Sequence, residues 1–305
     1  MSAPLVVTKG HGTQNDFVLL DDRTGALDLT PALVRGLCER RAGLGADGVI
    51  RLVPSASLAE GAAVLAEHPG ATWFMDYRNA DGSVAEMCGN GVRVFAAYLR
   101  HLGAWDGSGE LAVGTRAGVR LVHAEGEDWY AVDMGPWTLP GGERAVAEGF
   151  DAEVRVHGLD AVRPALSVDV GNPHTVLALA GQDELDAAEL FRAPVVTPTP
   201  PHGTNVELVV PLGEEQLPSG DVVGRVRMRV HERGVGETRS CGTGACAAAL
   251  AVRTWAGAGA PSTWFVEVPG GVVRVRALDG GHVELAGPAA LVARAEVYPE
   301  ALVER

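Results

Sequence analysis

The chain has 305 residues, enough for about two domains, and its 47% apolar and 21% charged content excludes a largely disordered protein. Its 25 basic and 39 acidic side chains give a formal net charge of −14, which argues against nucleic acid or an anionic membrane as a partner. Lys9 is the only lysine, so Schiff-base chemistry, including that of pyridoxal phosphate, is restricted to one position.

Two segments in the first quarter of the chain predict helices. Pro31 in a first helical position, with Thr30 as N-cap, predicts a helix over residues 31–41. Residues 54–70 predict an exposed loop that contains a short helix over residues 56–67.

Strands predominate further along the chain. Residues 111–134 predict two short strands around a turn at 125–128, and residues 272–285 predict another hairpin around Asp-Gly-Gly. Proline and glycine predict an inter-domain connection at 135–142, and a loop at 194–203 before a strand over residues 205–210.

Four cysteines without a Cys-x-x-Cys pair predict neither a disulfide framework nor a zinc site. The N-terminal residues lack the apolar core of a signal peptide. The longest apolar run, near residues 245–252, is too short to cross a bilayer. We therefore expect a cytoplasmic protein with no metal, no nucleic-acid partner and no membrane partner.

The most informative feature is an internal repeat in which Cys88 aligns with Cys241, 153 residues later. Both cysteines begin a Cys-Gly-x-Gly turn that opens an apolar helix, predicted over residues 91–102 and 245–255. The repeat predicts two homologous domains that face each other across a cleft.

Polar positions before the two cysteines also correspond. Asn79 and Glu232 each stand nine residues upstream, and Asn15 and Asn172 each lie just before an apolar strand. Two similar sets of polar side chains are therefore expected, one from each half of the chain.

A cysteine at a helix N-terminus lies in a field that favours anions, so we expect a lowered thiol pKa at both positions. A racemase or epimerase removes a proton from one face of a carbon and returns one to the other face. Two thiols in one cleft can do this, one as thiolate base and one as thiol acid. The helix N-termini would bind the substrate carboxylate as charge grows on it.

The motifs that carry these residues are HGTQNDF, NADGS, MCGNGVR, GNPH, GTNVEL, ERGVGETRSCGTGACA and a late VPGG. Through them the chain resembles the diaminopimelate epimerases. The resemblance implies epimerisation of LL-2,6-diaminopimelate to the meso isomer, independent of pyridoxal phosphate or any other cofactor, in lysine and peptidoglycan precursor synthesis. It also implies a homodimer.

The fold implied by the resemblance is α+β, with two pseudo-symmetric domains. Each is a mainly antiparallel β-barrel around a central helix, and the active site lies in the cleft between them. The expected domains are residues 1–136 and 137–286, with the last segment, about 287–305, crossing back to the first domain.

The resemblance also implies roles for individual residues. The catalytic set comprises the two thiols and two residues that tune them, namely Cys88, Cys241, His174 and Glu232. The substrate-binding set comprises polar side chains and helix-start amides, namely Asn15, Asn79, Gly89, Asn90, Asn172, Asn205, Glu232, Arg233, Gly242 and Thr243.

One position departs from the family pattern, and two other functions stay open. Some family members place a substrate-contacting Gln where this chain has Gly48, so that contact is absent or is made by backbone. A two-thiol racemase for proline or hydroxyproline is the nearest alternative, although such enzymes typically have His where this chain has Asn90. A non-enzymatic thiol-switch or ligand-binding protein is the alternative from another class.

Overall fold

The computed structural model describes residues 4–302, which form eighteen strands and seven α-helices. The strands within residues 4–136 are β1 Leu5–Gly12, β2 Asn15–Asp21, β3 Gly48–Pro54, β4 Trp73–Asn79, β5 Leu111–Thr115, β6 Gly118–Glu125 and β7 Trp129–Pro136. The later strands are β8 Ala152–Arg155, β9 Arg163–Asp169, β10 Pro173–Ala178, β11 Val195–Thr197, β12 Asn205–Gln216, β13 Val222–Glu232, β14 Gly236–Thr238, β15 Thr263–Val268, β16 Gly271–Ala277, β17 His282–Pro288 and β18 Ala290–Val297. The helices are α1 Pro31–Cys38, α2 Ala59–Glu67, α3 Gly89–His101, α4 Gly142–Glu148, α5 Gln182–Ala187, α6 Gly242–Ala256 and α7 Pro299–Leu302.

The chain divides into two compact units. The first ends at Val132 and resumes at Gly287, whereas the second runs from Asp133 to Ala286. In the first unit, β2 pairs antiparallel with β1 and parallel with β3, and β3 pairs antiparallel with β4. In the second unit, β10 pairs antiparallel with β9 and parallel with β12, and β12 pairs antiparallel with β13.

A buried helix lies at the centre of each unit. Helix α3 contacts β1, β2, β3, β4, β6 and β18, and its first eleven residues are all buried. Helix α6 contacts β9, β10, β12, β13, β15 and β16 and is buried over most of its length. An apolar helix wrapped by strands needs no polar face, which explains the composition of both segments.

Strand register gives the two units the same arrangement around their helices. In the first unit Phe17 pairs with Gly48 on the parallel strand β3, and Gly48 pairs with Asn79 at the end of β4. In the second unit His174 pairs with Asn205 on the parallel strand β12, which lies beside the end of β13. The predicted α+β class, with a central helix in each strand-rich half, is confirmed.

The local predictions were mostly correct, with shifted boundaries. Thr30 caps α1 by accepting a hydrogen bond from the Leu33 N–H at 3.2 Å, but the helix ends at Cys38 rather than at 41. Both predicted turns join neighbouring strands, β6 to β7 and β16 to β17. The prediction of only two strands over 111–134 was wrong, because β5 adds a third. Similarly, the loop predicted at 194–203 contains β11, which pairs with β8.

The segment over residues 54–70 is anchored to the first unit by an ion-pair cluster. It forms a short 3-10 turn followed by α2, where a single helix over 56–67 is predicted. Glu60 of α2 accepts from Arg116 at 2.9 Å, and Arg116 also donates to the fully buried Asp76 at 2.7 Å. Arg51 and Arg78 complete the cluster, with nitrogens 2.7 and 2.9 Å from the Asp76 carboxylate.

Among the described residues, no helix is long and apolar enough to span a membrane.

Candidate active site

Both repeated cysteines are the N-cap residues of the central helices. Cys88 precedes α3 and Cys241 precedes α6, each with an extended backbone. Cys241 Sγ accepts a hydrogen bond from the Gly244 N–H at 3.3 Å and lies 3.6 Å from the Thr243 hydroxyl. Cys88 makes no capping bond to its helix and is half-buried, whereas Cys241 is buried.

In the first unit a strained turn presents Asn15 to Cys88. Thr13 and Gln14 join β1 to β2 with φ of 48° and 64°, a left-handed conformation that most side chains avoid. Asn15 follows as the first residue of β2. Its Oδ1 accepts from Cys88 Sγ at 3.5 Å and from Asn90 Nδ2 at 3.2 Å.

Asn79 is the last residue of β4 in the same unit, but its side chain is held by a local turn. Its Nδ2 donates to Ser83 Oγ at 3.0 Å. Its ladder partner Gly48 has no room for a side chain, because a Cβ there would lie 2.5 Å from the Arg78 carbonyl oxygen and 2.6 Å from Tyr77 Cε2. The Arg78 carbonyl oxygen and the Tyr77 ring therefore explain why a Gln cannot occupy position 48 in this chain.

In the second unit the imidazole of His174 is held from both sides. Nδ1 lies 2.7 Å from Glu207 Oε1, and Nε2 lies 3.0 Å from Asn172 Oδ1. Both His174 and Glu207 are buried. The strand pairing of β10 with β12 places these groups together at one sheet edge.

Asn205 and Arg233 lie at the same edge. Asn205 Oδ1 accepts from the Arg233 backbone N–H at 2.9 Å, and its Nδ2 donates to the Pro173 carbonyl oxygen at 3.4 Å. The Arg233 guanidinium is exposed and donates to the carbonyl oxygen of His202. The Asn205 amide thus orders the backbone, and the guanidinium points toward solvent.

Glu232 lies beside Cys241. Its carboxylate accepts from the Thr238 hydroxyl and from the Cys241 thiol. Burial raises the pKa of Glu232, and these two hydrogen bonds only partly oppose that effect. A carboxylate with a raised pKa and a thiol at hydrogen-bond distance form a pair between which a proton can pass.

The expectation of a lowered thiol pKa was wrong for Cys241. Burial raises its pKa well above the ordinary value, and the nearby carboxylates of Glu232 and Glu207 raise it further. The hydrogen bonds from Thr243 and Gly244 act in the opposite direction without reversing the shift. Desolvation and two acidic neighbours outweigh the helix field that the sequence argument considered.

Glu207 is a residue of this site that sequence reasoning missed. It is fully buried, and a Cβ on Gly244 would lie 2.8 Å from its Oε1 and 3.2 Å from Cys241 Sγ. Glu207 Oε1 and Cys241 Sγ are therefore at most about 6 Å apart. An acid inside the apolar strand of GTNVEL was the available signal, since a buried carboxylate needs a partner.

The corresponding position in the first unit is apolar. A Cβ on Gly91 would meet Ile50 Cδ1 at 3.2 Å and Phe17 Cζ at 3.6 Å. Phe17 and Ile50 thus occupy the register positions that His174 and Glu207 occupy in the second unit. The repeat places both thiols on the same backbone frame, with different neighbours beneath them.

The structure brings most of the predicted site residues together within each unit. Asn15, Asn90 and Cys88 are in direct contact in the first unit, and Gly89 begins α3 beside them. In the second unit hydrogen bonds join Asn172 to His174 and link Glu232 to Cys241. The side chains of Asn79 and Arg233 are turned to local partners instead.

Comparison with known proteins agrees with the resemblance that the motifs predict. The diaminopimelate epimerase family model matches residues 7–140 and 166–292. The chain is 47% identical to the diaminopimelate epimerase of Streptomyces coelicolor, over 97% of this chain and 96% of that protein. It is 46% identical to the diaminopimelate epimerase of Thermobifida fusca, over 96% and 98%.

Solved structures with far lower identity share the fold. A phenazine biosynthesis protein of the PhzF family from Enterococcus faecalis matches with a TM-score of 0.59 at 12% identity, over 97% of this chain and 99% of that one. A hydroxyproline epimerase from Agrobacterium vitis matches with a TM-score of 0.57 at 15% identity, over 97% and 91%. These similarities concern the fold alone.

Proposed function

Because this chain belongs to the diaminopimelate epimerase family, we propose that it interconverts LL- and meso-2,6-diaminopimelate without pyridoxal phosphate. The observation that carries the proposal is the repeated thiol at the start of a buried helix, each among polar side chains at a strand edge. Cys88 and Cys241 would act on opposite faces of one α-carbon. One thiolate removes the α-proton while the other thiol returns a proton.

The helix starts would hold the reacting carboxylate. The first amides of an α-helix have no partner within the helix, and the helix dipole favours an anion there. Gly242 and Thr243 supply such amides in the second unit, and Gly89 and Asn90 occupy the equivalent positions in the first. These donors gain strength as the α-proton leaves and charge moves onto the carboxylate.

Glu232 would make Cys241 competent as a base. The raised pKa of the thiol means that Cys241 rests protonated, and the carboxylate that accepts its hydrogen bond is the available proton acceptor. Transfer of the thiol proton to Glu232 leaves a thiolate beside the substrate. The His174–Glu207 pair stands next to this exchange and holds its polar surroundings rigid.

The other polar side chains would bind the distal amine and carboxylate of the substrate. Asn supplies both a donor and an acceptor, and a guanidinium suits a carboxylate. Asn79 and Arg233 would exchange their present partners, Ser83 and His202, for the substrate. Asn172 and Asn205 keep their hydrogen bonds to protein groups and offer their remaining capacity.

The test is proton NMR of LL-diaminopimelate with pure protein in D₂O under reducing conditions. Loss of the α-proton signal with appearance of the meso isomer is the expected result. Replacing either thiol, as Cys88→Ser or Cys241→Ser, should nearly abolish the reaction, because a hydroxyl is a far poorer base. Cys246→Ala is the matched control, because Cys246 lies in the buried interior of α6 and should leave the rate unchanged.

Other outcomes would reassign the protein. Exchange of proline or hydroxyproline, with none of diaminopimelate, would keep the mechanism and move the substrate. Absence of exchange with all three would contradict the enzymatic proposal and favour a thiol switch or a binding protein.

A homodimer and a cytoplasmic location belong to the same proposal. The four cysteines are free, and two of them must stay reduced for the thiol chemistry, which a reducing compartment provides. Sedimentation velocity of the reduced protein measures the oligomeric state directly.

A further inference from the structure

A continuous row of hydrogen bonds runs beside Cys88 in the first unit and has a charged side chain at each end. Arg93 Nη2 donates to Asn90 Oδ1 at 2.8 Å, and Asn90 Nδ2 donates to Asn15 Oδ1 at 3.2 Å. Asn15 Nδ2 then donates to Asp47 Oδ2 at 2.7 Å. Every donor in this chain points the same way, from the arginine to the aspartate.

The charged groups at the two ends, Arg93 and Asp47, determine which way every hydrogen bond between them is donated. A guanidinium can only donate, so the atom of Asn90 that faces Arg93 must be its oxygen. The Asp47 carboxylate accepts on both sides, from Arg40 at 2.7 Å on Oδ1 and from the Asp16 backbone N–H at 3.0 Å on Oδ2. The atom of Asn15 that faces Oδ2 must therefore be its NH₂ group.

Cys88 is attached to this chain at Asn15 Oδ1, to which its Sγ donates at 3.5 Å. An acceptor facing the sulfur stabilises the thiol and disfavours the thiolate, because a thiolate has no proton to donate. Amide oxygen and nitrogen have nearly the same shape, so a charged group at each end is needed to keep the Asn15 oxygen toward the sulfur.

We propose that Arg93 and Asp47 are positioning residues that fix the Asn90 and Asn15 amides and thereby hold Cys88 as a proton donor before substrate binds. Arg93 is fully buried and Asn90 is 1% exposed, so this end of the chain is rigid. Asp47 is 41% exposed at its side chain but has three hydrogen bonds. The role in catalysis rests on the proposed function, whereas the protonation state of Cys88 does not.

Replacing Arg93 alone or Asp47 alone leaves the other charged group to orient the two amides. The decisive variant therefore replaces both residues. Arg93→Met with Asp47→Asn removes one positive and one negative charge, which leaves the net charge of the region unchanged. Ionisable groups near the Asp47 end of these hydrogen bonds include Asp16, which contacts Asp47, and Lys9 and Arg40, which pair with Asp16. These groups stay constant across the comparison.

The experiment follows alkylation of Cys88 by iodoacetamide against pH in the absence of substrate, with peptide-resolved mass spectrometry. The double variant should lower the midpoint pH of Cys88 alkylation by about 0.5 to 1 unit, the size of one lost hydrogen bond. Each single variant should shift it by less than half of that. In an Asn15→Ala background the two substitutions should have no further effect, because the acceptor is already gone.

The same spectra contain the controls. Cys241 is buried and its pKa is also raised, so it should be alkylated no faster in the variants than in the wild type. The buried Cys38 reports unfolding, because burial raises its pKa to about 12 and keeps it unreactive in the folded protein. If the double variant unfolds, wild-type NMR decides: the Asn15 side-chain NH₂ protons should show stronger NOEs to the Asp16 amide proton than to the Cys88 β-protons.

An unchanged or raised midpoint in the double variant would overturn the proposal. A full shift that persists without Asn15 would also overturn it, since the effect would then be electrostatic at a distance. NOEs from the Asn15 NH₂ group that are stronger to Cys88 than to the Asp16 amide proton would do the same. A confirmed shift together with no diaminopimelate exchange would contradict the proposed function and leave this inference intact.

Discussion

Gly244 and Gly91 occupy the same position in the two central helices, three residues after the capping cysteine, and Ala substitutions there should have different effects. At 244 the new methyl would lie 2.8 Å from Glu207 Oε1 and 3.2 Å from Cys241 Sγ. Overfilling a packed site of this kind destabilises by about 1–3 kcal/mol. At 91 the nearest atom is Ile50 Cδ1 at 3.2 Å, a side-chain methyl that can yield by a few tenths of an ångström.

The comparison isolates the clash with Glu207. Ala favours a helix over Gly by up to about 1 kcal/mol, and this gain is common to both positions. We therefore expect Gly244→Ala to be less stable than Gly91→Ala by about 1–2 kcal/mol, which corresponds to a difference of about 2–3 °C in thermal midpoint. The free energy of unfolding of Gly91→Ala should be within about 0.5 kcal/mol of the wild-type value.

Urea unfolding of the reduced protein, followed by far-UV circular dichroism, measures both variants under one condition. Gly244→Ala should also lose epimerase activity, since the methyl displaces the sulfur or the carboxylate beside it. Equal unfolding midpoints for the two variants would refute the argument that Glu207 is held against the start of α6.

Three further substitutions test separate features. Glu232→Gln should make the protein more stable than wild type at pH 8, because ionising a half-buried carboxyl of raised pKa opposes folding above that pKa. The difference should shrink as pH falls through the raised pKa toward 4.5, as thermal unfolding at several pH values will show, and epimerisation should fall by at least about 100-fold. Gly48→Gln should destabilise by about 2 kcal/mol or more in urea unfolding, because its Cβ would overlap the Arg78 carbonyl and Tyr77. Asp76→Asn should destabilise by about 3–5 kcal/mol, because it leaves three arginines around a neutral group. The pKa of Asp76 is lowered by Arg78 and Arg116 against the opposing effect of burial, so its stabilising contribution should persist at neutral pH and be lost as pH falls below the ordinary carboxyl range.

Local chemistry accounts for what could be predicted from sequence. A Cys followed by Gly-x-Gly at the start of an apolar run marks a helix N-terminus, and both central helices begin directly after their cysteine. Thr30 before Pro31 marks the start of α1 in the same way. These signals depend only on neighbouring residues, so they survive without knowledge of the fold.

Long-range contacts account for what could not be predicted. The pKa of Cys241 depends on burial and on Glu232 and Glu207, which lie 9 and 34 positions away in the chain. The steric reason for Gly48 lies in the Arg78 carbonyl oxygen and the Tyr77 ring, which reach it through the pairing of β3 with β4. Short strands such as β11 carry too few residues to show a periodicity.

The different neighbours of the two thiols have a kinetic consequence for a reversible reaction. Phe17 and Ile50 cannot exchange protons, whereas His174 and Glu207 can. Proton removal from the two stereoisomers would then respond differently to acidity, so the forward and reverse turnover numbers would have different pH profiles. Yet the equilibrium between the isomers belongs to the substrate alone. The Haldane relation fixes the ratio of the two kcat/KM values at this equilibrium constant. A pH-dependent change in the ratio of the turnover numbers must therefore be matched by the ratio of the Michaelis constants. The asymmetry of the duplicated fold would then appear as unequal Michaelis constants.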